Sequence, residues 1–299
     1  MAVVLFRGTF SFPWLSGFDT PFQELVSTWI TILLAVIVIC FLVSEATRNY
    51  SQVDKLWSLL PPAYSWVTVA AFPTTRTVIM AVLVTLWGLR LSFNFNRKGG
   101  YSIIPWKGEE DYRWKILRDS HALRGRLRFG LFNLLFISIY QNIIILLFTT
   151  PVLMAALYPE TPLAVTDVVA AVLMLSFLII ETVADNQQFR FQTMKRMAAG
   201  TTEAFGDSLR KGFLTEGLWK YSRHPNFASE QAIWISFYLF GVAASGKWIS
   251  FTLAGPALLV LLFIGSSVMT ENISSSKYPE YSVYQKEVPK FIPRIFRRK

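Results

Sequence analysis

A chain of 299 residues that is 53% hydrophobic and only 16% charged falls short of the quarter or so of charged residues a soluble domain carries. Its net charge of +10 suits an anionic membrane surface better than nucleic acid, because the basic residues lie between long apolar blocks. The single cysteine, Cys40, excludes an internal disulfide framework, and with only two histidines, His121 and His224, no metal centre is expected.

A helix that crosses the hydrocarbon core needs roughly 20 apolar residues. The first apolar block, 27–44, is uncharged and reads as a span rather than a cleaved leader. The second, 57–71, is interrupted by Pro61 and Pro62, which predicts a bent or only partly spanning helix. A third at 77–95 carries Arg90, and a long uncharged fourth covers 129–157. The fifth, 165–184, contains Asp167 and Glu181; the sixth, 227–245, contains Glu230; the seventh, 249–270, is uncharged. Segments 96–128 and 185–226 are too long for simple turns, which predicts helices of their own.

Loop charge tests this segmentation. With the N-terminus outside, the inner segments 45–56, 96–128, 185–226 and 271–299 hold 25 of the 29 lysines and arginines, and the outer ones hold Arg7, Arg76 and Lys247. That bias orients a membrane protein. The expected architecture is an all-α, polytopic membrane protein: a single domain over 1–299 with about seven transmembrane helices, the N-terminus out and the C-terminus cytosolic.

Charge and amide groups at span ends are costly, so their spacing is informative. Trp87, Arg90, Asn94 and Arg97 share one helical face. So do Glu181, Asp185, Gln188 and Gln192, and so do Asn226, Glu230 and Trp234. Interfacial anchoring and snorkelling explain any one stripe. Three at one predicted depth favour a water-accessible cavity, with Glu230 in need of a partner or ligand.

Ahead of the sixth span runs Gly217-Leu-Trp-Lys-Tyr-Ser-Arg-His-Pro-Asn226. Pro225 suits a first helical turn. A helix start flanked by Lys220, Arg223 and His224 is either an ordinary basic turn or an anion site for phosphate or carboxylate. Glu109-Glu-Asp-Tyr-Arg-Trp114 reads as a solvated amphipathic helix. Tyr278, Tyr281 and Tyr284 recur every third residue, either as interfacial aromatics or as a cover for a planar ligand.

The stretch Gly217-Leu-Trp-x-Tyr-Ser-Arg-His-Pro-Asn-Phe-x-x-Glu230 resembles the C-terminal signature of the steroid 5-alpha-reductase-like membrane proteins, and most closely their branch known as DUF1295. Val53-Asp-x-x-Trp57, Trp87-Gly-Leu-Arg-Leu91, Glu110-Asp-Tyr-Arg-Trp114, Ala184-Asp-x-Gln187 and Tyr278-Pro-x-Tyr-x-x-Tyr284 follow the same branch in order, over about 50–295. The resemblance implies NADPH in a cytosol-facing cavity and reduction of a conjugated carbon–carbon double bond in a sterol or other enone lipid, in an endomembrane such as the endoplasmic reticulum. By position it implies cofactor contacts from Asn226, Glu230, Asp185 and Arg97. Gln188, Arg113, Tyr221, Arg223, His224, Tyr281 and Tyr284 join the same shell.

Phe227 and Ser229 stand where the family usually carries Tyr and Gly, and the Gln-Glu pair of the steroid reductases has no clear counterpart. Asp54, Tyr64 and Glu230 are the candidates for polarising the substrate carbonyl and donating a proton. Two other readings stay open. One is a methyltransferase using S-adenosylmethionine, because the isoprenylcysteine carboxyl methyltransferases share a similar Arg-His-Pro core. The other is a non-catalytic lipid-binding membrane protein.

Overall fold

The computed structural model describes residues 13–102, 104, 108–197 and 205–293; Arg7, counted above among the outer charges, lies outside them. The described residues form helices and no strand. They divide into two compact units, Met1–Val168 with Tyr238–Gly255, and Val169–Phe237 with Pro256–Lys299. Each is taken by itself.

In the first unit, α1 (Thr20–Thr47) begins where the Asp19 carboxylate accepts from the Phe22 amide, with a proline in its first turn. One side buries Phe22, Leu25 and Trp29; Val38, Ile39 and Leu42 point outward, as lipid-facing residues do. Helix α2 (Gln52–Ala71) runs unbroken through Pro61 and Pro62, where the sequence predicts a bent or partial span. Packing offsets the lost donors. A Cβ on Gly88 of α3 (Thr75–Asn96) would meet the Ser58 carbonyl at 2.5 Å and Pro62 Cγ at 2.8 Å, so only glycine lets α3 lie this close to the proline pair.

Beyond a short helix α4 (Tyr112–Asp119), the fourth apolar block is one helix in three parts: α5 (Arg126–Phe132), an eight-residue π-helical segment (Asn133–Tyr140) and α6 (Gln141–Thr149). The sequence predicts this block to continue to residue 157. It stops instead at Thr150, where Pro151 starts a separate helix, α7 (Pro151–Leu157); without an N–H, Pro151 cannot donate back into the preceding turn, and it suits a first helical position. Arg76 and Asp167, both buried, form an ion pair at 2.7 Å.

The second unit contains most of α8 (Val165–Met197), a short α9 (Gly206–Lys211), the first part of α10 (Pro225–Ser245), most of α11 (Ala254–Lys277) and α12 (Tyr281–Glu287). With 33 residues, α8 is longer than a bilayer needs. Its last turns carry the polar stripe and then Lys195 and Arg196.

Helices thus occupy all seven predicted blocks. Five stretches are long and apolar enough to cross a membrane: Thr20–Thr47, Thr75–Asn96, Arg126–Thr149, Val165–Met197 and Phe251–Lys277. The other two, α2 and α10, are diluted by Gln52, Asp54 and Lys55 and by Asn226, Glu230 and Gln231.

Candidate functional site

In the second unit, the chain after α9 is pinned to α8 from the side. The Leu218 amide donates to Gln187 Oε1 at 2.9 Å, and Trp219 Nε1 donates to the Ala184 carbonyl at 3.2 Å. Gly217 adopts φ 60°, and a Cβ there would collide with the Gln187 amide. The next residues clamp a second segment. The Arg223 and His224 amides donate to the carbonyls of Pro289 and Lys290 at 2.9 and 3.1 Å, and Ser222 Oγ also donates to Lys290.

Both basic side chains of the Arg-His-Pro core then converge on Glu271. Arg223 Nε lies 2.7 Å and His224 Nε2 3.0 Å from Glu271 Oε1, and Gln285 Nε2 donates to Oε2 at 3.1 Å. Arg223 Nη1 donates onward to the Gln285 and Val288 carbonyls. A basic turn at a helix start is therefore knitted inward. Sequence reasoning missed Glu271; its one signal is an acid placed directly after an uncharged apolar run.

In the first turn of α10, Asn226 Nδ2 donates to Asp185 Oδ1 at 3.1 Å, so the stripes of the fifth and sixth blocks meet. Glu230 is buried and accepts from Trp234 Nε1 at 2.9 Å. Two amide oxygens beside them, Asn226 Oδ1 and Gln188 Oε1, are buried with no donor. Glu181 is buried with Asp185, whereas Gln192 is exposed. Tyr281 and Tyr284 are buried, and Tyr284 donates to the Trp219 carbonyl. Phe213 stands edge-on to Tyr281 at 5.0 Å, and burial pushes the Tyr281 phenol up to about 12. Tyr221 is exposed.

The remaining candidates lie in the first unit. Arg97 grips Asn94 Oδ1 through Nε and Nη2 at 3.0 and 2.7 Å, an i, i+3 contact within the stripe of the third block. The expected amphipathic helix forms over Tyr112–Asp119, and the stretch that leads into it is docked rather than free. Asn49 Nδ2 donates to the Gly108 carbonyl, the Tyr50 amide to Glu110, and the Asp111 amide to Ser51 Oγ. Trp114 is buried and donates to Asp54 Oδ2 at 3.0 Å. Arg113 forms a two-pronged pair with Asp111 at 2.9 Å. That pair, with Lys98 nearby, outweighs burial and holds the Asp111 carboxyl below its usual range. Asp54, ahead of the span at 57–71, is pushed upward by burial despite Arg113. Tyr64 is fully buried, its ring 4.6 Å from that of Trp29, and its hydroxyl has no partner.

Two motif segments that the sequence could only place in order, 49–57 and 108–114, are thus one docked structure, as are 217–226 and 285–290. The family described as a protein of unknown function, DUF1295, matches residues 40–288 and so takes in the first three of these segments and the start of the fourth. The chain belongs to the DUF1295 family. Within it, an uncharacterized protein of Schizosaccharomyces pombe is 38% identical over 265 residues, 85% of this chain and 75% of the relative. No solved structure matches. In this DUF1295 chain, neighbouring motifs of the resemblance are thus held in contact within each unit.

Proposed function

We propose that this DUF1295 protein is a membrane-embedded, NADPH-dependent reductase of a conjugated carbon–carbon double bond in a sterol or other enone lipid. On this reading it has seven spans, an outer N-terminus and a cytosolic C-terminus, and resides in an endomembrane such as the endoplasmic reticulum. The observation that carries it is the pair of buried, donor-less amide oxygens, Asn226 Oδ1 and Gln188 Oε1, beside the Asn226–Asp185 contact. Buried acceptors are rarely left unpaired in a finished fold, and N–H groups of a nucleotide would satisfy them.

The bound cofactor would supply the hydride. The chain supplies position and protons. Asp185 orients the Asn226 amide, so its oxygen is the acceptor on offer. Glu230, held by Trp234, stands one turn further along the same helix and closes the polar region against the apolar span. Arg223 and His224 serve by fixing the start of α10 rather than as open phosphate ligands, because Glu271 and the 285–290 carbonyls engage both. Tyr281 and Tyr284 hold that segment shut. In the first unit Asp54, raised toward its neutral form, has the character of a proton donor, and Tyr64 offers a second hydroxyl.

Titration of the purified protein with NADPH, read by cofactor fluorescence, tests this directly. Asn226→Ala is expected to weaken NADPH binding at least tenfold while leaving the melting temperature within a few degrees. Saturable binding of S-adenosylmethionine, with none of NADPH, would overturn the reductase in favour of a methyltransferase; binding of neither would leave a lipid-binding role.

A further inference from the structure

In the first unit, apart from the residues discussed so far, α1 and α5 flank a groove of about 420 Å³. Its walls are apolar: Phe41 from one helix, Leu127, Leu131 and Leu134 from the other. Leu127 is 77% and Leu131 51% exposed, on a helix long and apolar enough to face lipid. Gly130 lines the groove between those two leucines, and its missing side chain keeps the channel clear. The end nearer Arg126 is different: Arg126 lines the groove there, and Arg124 and Arg128, two residues to either side of it in sequence, are exposed.

These arginines lack the carboxylate partners that several others in the chain have. Arg76, Arg113, Arg118 and Arg223 each meet a carboxylate. Among the described residues Arg124, Arg126 and Arg128 meet none. The one acid lining the groove, Glu45, lies beside Gly130 and is already engaged: it accepts from Asn133 Nδ2 at 3.0 Å and pairs with Arg48 at 3.4 Å. From Arg126 to Leu134 the groove descends about 12 Å along the helix, changing from cationic to mainly apolar. A phosphate over an acyl chain has that same polarity profile.

We propose that this groove is a binding site for an anionic phospholipid, with its phosphate on Arg126, strengthened by Arg124 and Arg128, and one acyl chain lying over Gly130 between Phe41 and Leu134. The site is independent of the reductase reading and takes a structural lipid rather than a substrate. A basic residue near an anionic lipid surface is worth roughly a fivefold gain in affinity, so three give a clear preference over a zwitterionic lipid.

The test uses the full chain in detergent micelles containing equal amounts of phosphatidylglycerol and phosphatidylcholine, with retained lipid counted by native mass spectrometry. Wild type is expected to retain phosphatidylglycerol in at least tenfold excess, and a tenfold excess of inorganic phosphate is expected not to displace it. The triple variant Arg124→Ala, Arg126→Ala, Arg128→Ala should lose the preference. Gly130→Leu should lower retention of both lipids at unchanged charge; the first atom it adds meets nothing closer than Glu45 Oε1 at 3.9 Å, so the fold tolerates it. Equal retention of the two lipids by wild type, or unaltered retention by both variants, would overturn the proposal. So would displacement by phosphate, or a dimer that Gly130→Leu dissociates.

Discussion

Arg76–Asp167 in the first unit and Arg223–Glu271 in the second are both buried arginine–carboxylate pairs at 2.7 Å, yet they are built for different tasks. Arg76 spends its remaining donors on the Thr161 and Pro162 carbonyls, and Asp167 also accepts from the Ala164 amide. Every partner besides Arg76 lies within 161–167, so the pair fastens one connection. Glu271 gathers donors from 223, 224 and 285, and Arg223 reaches on to 288. It therefore fixes where α10 begins, and with it the placement of Asn226. A buried ion pair adds little net stability over an apolar substitute, but removing one member strands the other. The lesson is that the same bond is a loop fastening in one unit and a site-positioning device in the other.

Glu271→Ala is the sharpest way to break the comparison, because it strands Arg223 and His224 together. It is expected to cost about 5 kcal/mol of stability, read by thermal unfolding in detergent, and to abolish NADPH binding. Glu271→Gln should recover part of both. Arg76→Ala comes next, at roughly 3 kcal/mol, with NADPH affinity unchanged in the protein that remains folded. If Arg76→Ala lowered affinity as much as Glu271→Ala, the distinction between the two pairs would fail.

Asp54→Asn has the smallest expected effect on stability, and its sign depends on pH. Burial raises the Asp54 pKa in the folded protein, so the charged form opposes folding above that value and the opposition fades as pH falls through it. The variant should therefore be slightly more stable than wild type at neutral pH and lose that advantage in acid. Turnover of an enone lipid should nevertheless drop, which separates a proton donor from a structural carboxylate.

Much of the fold was legible because apolar blocks and helical stripes are local patterns. The seven helical segments follow from block length, and the Asp185–Asn226 contact joins two of the polar faces that helical spacing picks out. The break at Pro151 was written in the sequence but was overridden by the length of the apolar run. Continuity through Pro61 and Pro62 was not legible, since it depends on Gly88 in another helix. Glu271 and Trp114 escaped for a related reason: their partners lie 47 and 60 residues away, beyond the reach of any helical period.

The docking of residues 285–290 onto 222–224 sets the timing of assembly. Ribosomes deliver the Arg-His-Pro turn well before the stretch whose carbonyls receive its amides and the Ser222 hydroxyl, the last contact spanning 68 residues. The start of α10 therefore emerges incomplete and is finished only by late-made chain. A C-terminal truncation ahead of residue 285 would leave it frayed in an otherwise intact protein.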